Sequence, residues 1–416
     1  MSFVYTVSNY LNRYPGIKKR AKRIFQRTMV AMSPNFRSEG EIHKLSPNDP
    51  DHEYFFGYYD KSPWDVSGRY VLCLRARDTW TDVAPNEPAD ICLIDTEKSN
   101  KIEIIGRTHA WNVQQACMLQ WLGPGFDKKI LYNDFREGKY CSVILDLETR
   151  QERILSMPVY SVAQDGSFAL TLDFSRLHRL RKGYGYSKLP DYTEGMMVPD
   201  EPCIWSFDLQ DNKIVPVLKY ADFVNFEHRP EMDEAEHKVN HIMISPNGKR
   251  FMVLHRWFNG ERKYTRLVTA NIDGTGMYNL SDDDMVSHCC WKNDKEIFAF
   301  ENKHNGGVGY YLMEDKTQNY QRYWQTINYD GHPSFSPDGN KIVFDRYPDG
   351  RRIATVMVAD DNPNESAIEI KAKVFAPFKY DNDTRCDLHP RWSRDGKKIC
   401  FDAVFEECRG LYYCKI

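Results

Sequence analysis

Hydrophobic and polar positions follow two rhythms along this chain. Between residues 17 and 30, Ile17, Ala21, Ile24, Phe25, Met29 and Val30 recur at helical spacing among Lys18, Lys19, Arg20, Lys22, Arg23 and Arg27, which predicts one basic amphipathic helix. Beyond residue 50 the apolar runs shorten to strand length, as at Tyr70 to Leu74, Phe251 to Leu254, Ile297 to Phe300, Ile342 to Phe344 and Ile399 to Phe401, each beside a turn signal. The change of rhythm divides the chain into a basic helical extension at 1–45 and a main fold at 46–416 with no long helix. For the extension two readings stand: attachment to an anionic membrane surface through residues 17–30, or a helix packed on the body with its charged face solvated.

The strand runs repeat. HIMISPNGKRFMVLHRW begins at 241, HCCWKNDKEIFAFEN at 288, HPSFSPDGNKIVFDR at 332 and HPRWSRDGKKICFDA at 389. In these copies a histidine is followed by an apolar anchor, a polar turn and an apolar strand. Asn247-Gly248, Asp338-Gly339 and Asp395-Gly396 supply the positive-φ positions that a tight reversal needs. Weaker copies start at 62, 118 and 159. The seven anchors are Trp64, Trp121, Val162, Ile244, Trp291, Phe335 and Trp392, spaced by 41 to 57 residues except for 82 between Val162 and Ile244. A four-stranded propeller blade takes about 40–50 residues. The expected fold is therefore all-β, a single seven-bladed β-propeller, with a large insertion at about 173–238.

Composition narrows the function. With 41% hydrophobic and 28% charged residues the chain is globular, and 56 Lys plus Arg against 59 Asp plus Glu leave a net charge of -3, so no global basic field argues for nucleic acid. Eleven cysteines without a CxxC pair indicate neither a disulfide framework nor a zinc ribbon and fit a reducing compartment. The sequence also shows no secretory signal pattern, so the expected location is cytoplasmic, with membrane association through the basic helix as the variant.

Three groups of residues could carry chemistry. His241, His288, His332 and His389 hold the same position in four consecutive copies, at the start of the innermost strand, so they should converge on the channel. Neutral imidazoles ligate manganese, zinc, iron or nickel, and Asp387, two residues before His389, lies on the same face of an extended chain and could add a carboxylate. The competing reading is a structural ring of histidines bonded to backbone. In the insertion, Arg181, Tyr184, Tyr186, His228 and Arg229 are the candidate catalytic set for an acidic sugar, with Arg176 to bind it, because arginine grips carboxylates and tyrosine or histidine moves protons. Surface contacts would use the same residue types. In blade two, Asn112, Gln115 and Asn133 could fix ligand hydroxyls or satisfy backbone where blades meet. No Gly-rich phosphate loop, HExxH or GxSxG is present, which argues against a nucleotide or organic cofactor.

The HPSFSPDG and HPRWSRDG repeats are TolB-like, and the plan from about residue 50 onward resembles the propeller polysaccharide lyases, namely the oligogalacturonate lyases and the ulvan lyases. HAWNVQQACMLQW at 109 and KILYND at 129 look like blade-two segments of the second group. The resemblance implies a bacterial enzyme that cleaves a uronate-containing oligo- or polysaccharide by β-elimination, with a divalent metal such as manganese or zinc. His241, His288 and His389 match channel histidines of the oligogalacturonate lyases, whereas Asp387 stands where a further histidine is expected. Asn112 and Asn133 stand where ulvan lyases carry proton-transferring histidines, and asparagine cannot play that part near neutrality. Arg181, Tyr184 and Tyr186 resemble that family's Arg and Tyr contributions. A non-catalytic propeller that binds a glycan or a protein is the alternative.

Overall fold

The Ser-Pro-Asx-Gly turns show why the repeat folds as it does. Ser336 Oγ donates to Asp338 Oδ1 at 2.6 Å and accepts the Lys341 N–H at 2.9 Å, while Gly339 takes φ +75°. The same lock recurs with Ser393, Asp395 and Lys398, and with Ser245, Asn247 and Arg250. Side-chain oxygens thus close the reversal between the two inner strands of three blades.

The protein was analysed as a computed structural model that describes residues 15–260, 262–364, 368–405 and 408–416. It is a seven-bladed β-propeller. The blades are successive antiparallel sheets spanning Glu53–Thr108, Gln120–Leu155, Ser161–Lys219, Glu236–Ser281, Val286–Tyr323, Ser334–Phe375 and Arg391–Lys415. The last blade takes its outer strand from the other end of the chain, where His43–Lys44 pairs with Tyr412 and Tyr413, and this closes the ring. Just before it, Ser38–Glu39 adds a fifth strand to blade six.

From blade two onward each apolar anchor ends the innermost strand of its blade, and Trp64 bridges Val71 in blade one. The tryptophans join neighbours: Trp121 Nε1 donates to Pro63 O at 2.8 Å, Trp291 to Met243 O at 2.9 Å and Trp392 to Ser334 O at 3.1 Å. Between the blades lie the apolar clusters, built from residues such as Leu72, Ile130, Leu170, Val253, Phe298, Val343 and Phe401, all fully buried.

The 173–238 stretch is not one loop. Blade three's two outer strands, Pro202–Asp208 and Ile214–Lys219, lie inside it, between an excursion at 172–201 and a second at 220–235. The first carries the short helix Phe174–Leu180, capped by Asp173, whose side chain accepts the Ser175 and Arg176 N–H groups. The basic helix runs Pro15–Ala31; residues 1–14 of the predicted extension lie outside the described residues.

Candidate active site

Irregular inner strands aim the four histidines. In blade four the register slips between Asn240 and Met243, and His241 sits there with φ +54°. Blade five slips between Val286 and Cys289, around His288. His389 adopts φ +43° just before Arg391–Trp392. Bulges and left-handed non-glycine residues re-aim side chains at a cost in strain. The rings form a chain across the channel, with centroids 5.7 Å apart from His241 to His288, 4.2 Å from His288 to His332 and 4.3 Å from His332 to His389.

The four are not equivalent. His332 Nδ1 lies 2.9 and 3.0 Å from the two oxygens of Asp345, which fixes that nitrogen as the donor, and Nε2 has Tyr347 Oη at 3.3 Å. Burial lowers the His332 imidazole, but Asp345, with Asp387 and Asp330, lifts it above its ordinary value. His389 is fully buried, yet neither ring nitrogen has a hydrogen-bond partner among the described residues. Ligand atoms of His332, Asp387 and His389 all lie within 4.8 Å of one another. Two imidazole nitrogens, a carboxylate and an outer carboxylate orienting one imidazole suit a divalent cation. Arg385 pairs with Asp387, Nη2 to Oδ2 at 2.8 Å, and holds that carboxyl below its usual range despite burial.

Of the five residues expected to ligate, these three come together. His288 stands beside them, its Nδ1 likewise held by a carboxylate, Asp330 at 3.0 Å, but it does not belong to the group within 4.8 Å. His241 is turned to another partner: its Nδ1 meets Asn240 Nδ2 at 2.7 Å and its Nε2 shares a short hydrogen bond with Tyr58 Oη.

Tyr58 and Tyr59 plug the histidine ring from the segment FGYYD, which lies outside the repeats. Tyr58 has its centroid 5.5 Å from His241 and 5.1 Å from His389, and Tyr59 lies 5.2 Å from His332. Gly57 permits the approach: at φ +111°, a Cβ there would meet Ala116 Cβ at 2.8 Å. Arg391 anchors the segment through the Gly57 and Tyr58 carbonyls and pairs with Asp402 at 3.0 Å, itself paired with Arg409 at 2.6 Å. Burial pushes the Tyr58 phenol well above its ordinary value. Burial and the nearby Arg256 hold the His241 imidazole well below its own.

Arg256 belongs to a set that the sequence did not single out. Lys238 and Arg256 lie directly opposite each other on the first two strands of blade four, at 1% and 7% exposure. Like charges so placed repel, and burial adds a desolvation cost. Neither has a carboxylate partner among the described residues. Lys238 Nζ donates to Leu180 O at 3.1 Å, Arg256 Nη2 reaches only Val286 O at 3.5 Å, and Arg256 Nε has no partner. Burial, then Arg256 and Arg181, push the Lys238 ammonium well down. Toward solvent, Arg181, Lys182, Arg385 and Lys19 line a cleft of about 250 Å³ with Tyr184, Gln114 and Asp383. Tyr184 packs edge-on to Tyr58 at 6.0 Å and lies 5.1 Å below the Arg181 guanidinium. Cationic groups thus run from the cleft to the Tyr58–His241 pair.

The remaining predicted site residues serve the scaffold. Arg176 gives its donors to His237 O, Thr193 and Met196 O. Tyr186 stacks on Phe174 at 4.5 Å and accepts from Asn133, which also ties Val159. Asn112 donates to Gly185 O at 3.0 Å and accepts the Gln114 and Gln115 N–H groups; Gln115 donates to Tyr160 Oη, which in turn accepts the His241 N–H. Arg229 is taken up by Asp282, Asp284 and Glu231 at the outer edge of blade four, and His228 pairs with Asp233 nearby. These last two lie apart from the channel histidines because the 220–235 excursion folds outward over that edge.

No family model and no curated protein sequence matches the chain. Solved structures do. An oligogalacturonate lyase in complex with manganese aligns at TM-score 0.64 and 14% identity, over 91% of this chain and 93% of that one. The oligogalacturonate lyase of Vibrio parahaemolyticus aligns at 0.63 and 11%, over 92% and 97%. The propeller domain of the Trilobed protease from Pyrococcus furiosus aligns at 0.50 and 11%, over 86% and 93%. At these identities the likeness is one of fold: the chain is a seven-bladed propeller built on the plan of the oligogalacturonate lyases.

Proposed function

We propose that the protein is a lyase that cleaves a uronate-containing oligosaccharide by β-elimination. The observation that carries this reading is the buried Lys238–Arg256 pair, two basic groups with no carboxylate partner among the described residues, beside the Tyr58–His241 hydrogen bond. A substrate carboxylate bound there would offset their repulsion and acidify the adjacent C5–H, since the negative charge that develops on proton removal spreads into the carboxylate. His241, kept neutral with its proton on Nδ1 toward the Asn240 side-chain amide, would take the C5 proton on Nε2 as the Tyr58 hydroxyl leaves that nitrogen for the leaving oxygen; the C4–O bond breaks as the C4–C5 double bond forms. Tyr58, kept protonated, would hand its proton to the leaving oxygen. Arg181 and Tyr184 would hold the neighbouring sugar in the cleft. His332, Asp387 and His389 would hold a divalent cation, whose chemistry there would be to withdraw electron density from the substrate carboxylate. The manganese complex of a structural neighbour supports that assignment by analogy of fold.

The expected outcome is ultraviolet absorbance from an unsaturated uronate when the protein meets oligogalacturonate or a related acidic glycan. Tyr58→Phe should lower that rate by about 10²–10⁴-fold with the fold intact. Absence of product across a panel of uronate glycans would contradict the reading. The second reading, a propeller that binds an acidic glycan without cleaving it, is favoured by the depth of the pair, since Tyr58 and His241 are each only 3% exposed. It predicts saturable binding to such glycans with no product.

A further inference from the structure

The helix Pro15–Ala31 turns its apolar stripe away from the propeller. At about 3.6 residues per turn, Ile17, Ala21, Ile24, Thr28 and Ala31 align on one side. All five are exposed, Ile17 at 57% and Ile24 at 67%, and Met32 follows at 78%. The opposite side meets the body: Gln26 is buried, Met29 and Val30 are half-buried, and Arg23 pairs with Asp381. Phe25 lies against Gly350, and Arg23 and Arg27 cover the Phe378 ring at 5.0 and 5.9 Å. The helix is therefore held in a fixed orientation with its hydrophobic face outward, the reverse of an amphipathic helix docked to complete a core.

Charge identifies the occupant. The helix carries Lys18, Lys19, Arg20, Lys22, Arg23 and Arg27 and not one acidic residue. Arg20 and Arg27 flank the apolar stripe on one side and Lys18 on the other. An outward apolar stripe between cations matches the boundary between acyl chains and anionic headgroups. We propose that this helix seats the protein on an anionic lipid bilayer as an interfacial anchor. Lys19 on its inner side lines the cationic cleft, so the seated protein would hold that cleft about one helix diameter, roughly 10 Å, from the headgroups. No described helix is long and apolar enough to cross a membrane, so attachment would be peripheral.

The inference stands independently of the reaction proposed above, because its test reads binding alone. The full chain is sedimented with vesicles of phosphatidylcholine alone and with added phosphatidylglycerol. We expect partition onto the anionic vesicles only, weakened by salt and lowered about tenfold or more in Ile17→Asp with Ile24→Asp. Both positions are exposed, so an unchanged circular dichroism spectrum and melting temperature are expected for the variant. No partition of the wild type, or equal partition of the variant, overturns the proposal. So would a wild-type dimer in ultracentrifugation that these substitutions abolish, which would assign the stripe to a second copy of the chain.

Discussion

Two groups of buried histidines in this propeller are built on opposite terms. In blade four, His237 and His255 stack at 5.1 Å and every ring nitrogen is engaged: His237 with Met232 O at 3.2 Å, the two rings with each other at 2.9 Å, and His255 with Arg266 Nε at 3.1 Å. In the channel, His389 is as deeply buried and has no partner for either nitrogen among the described residues, while His241 is tied to Tyr58 and Asn240 beside two buried basic groups. The first arrangement holds the second excursion onto its blade. The second maintains unsatisfied polarity that a fold alone has no reason to keep. Burial does not distinguish the two groups; at His389 alone among the four channel histidines, satisfaction does.

Breaking the satisfied pair should do the greater harm to stability. His255→Ala leaves Arg266 Nε and His237 Nδ1 without partners and opens a cavity against Phe223 and Trp257, so urea unfolding should show a loss of about 3 kcal/mol. The pair also predicts an acid sensitivity. Burial brings His237 down to about 4 in the folded state, against about 6.5 unfolded. The unfolded chain therefore binds more protons between those values. Stability from this group is complete above about pH 6.5 and is lost as pH falls toward 4, by on the order of 3 kcal/mol, measurable as a falling urea midpoint. His255→Ala should flatten that slope. In the channel, His389→Leu should cost less than about 1 kcal/mol, because it removes two unsatisfied nitrogens at nearly constant shape. The same substitution should abolish stoichiometric divalent metal measured by plasma mass spectrometry; metal retained at full occupancy would return His389 to the structural class.

The sequence made the propeller legible because its inner turns repeat a lock of Ser, Asx and Gly and because aromatic anchors end the inner strands. The convergence of the four histidines followed from that repeat alone; Asp387 does come beside His389, but on irregular backbone with His389 at φ +43° and not on an extended strand. Lys238 and Arg256 stayed hidden because their significance lies in register: eighteen residues apart, they face each other only once the strands of blade four are paired. Tyr58 and Tyr59 belong to no repeat, so no alignment of the blades could bring them to the channel. Asn112, Asn133 and Arg176 look like ligand-binding residues by type, yet each is consumed by the scaffold, Asn112 by Gly185 O, Asn133 by the Val159 backbone and the Tyr186 hydroxyl, and Arg176 by His237 O, Thr193 and Met196 O, which composition cannot foresee. Arg229 was legible as a carboxylate binder and is one, but the carboxylates are the protein's own.

The central claim is that the Lys238–Arg256 pair is kept for an anionic ligand at a cost to the free protein. Melting of the wild type and of Arg256→Met, each with and without oligogalacturonate, tests it directly. The account predicts that the variant alone melts higher, by an amount equivalent to about 1–2 kcal/mol, and that ligand raises the wild type but not the variant. A variant that melts lower than the wild type and is still stabilised by the ligand would contradict it.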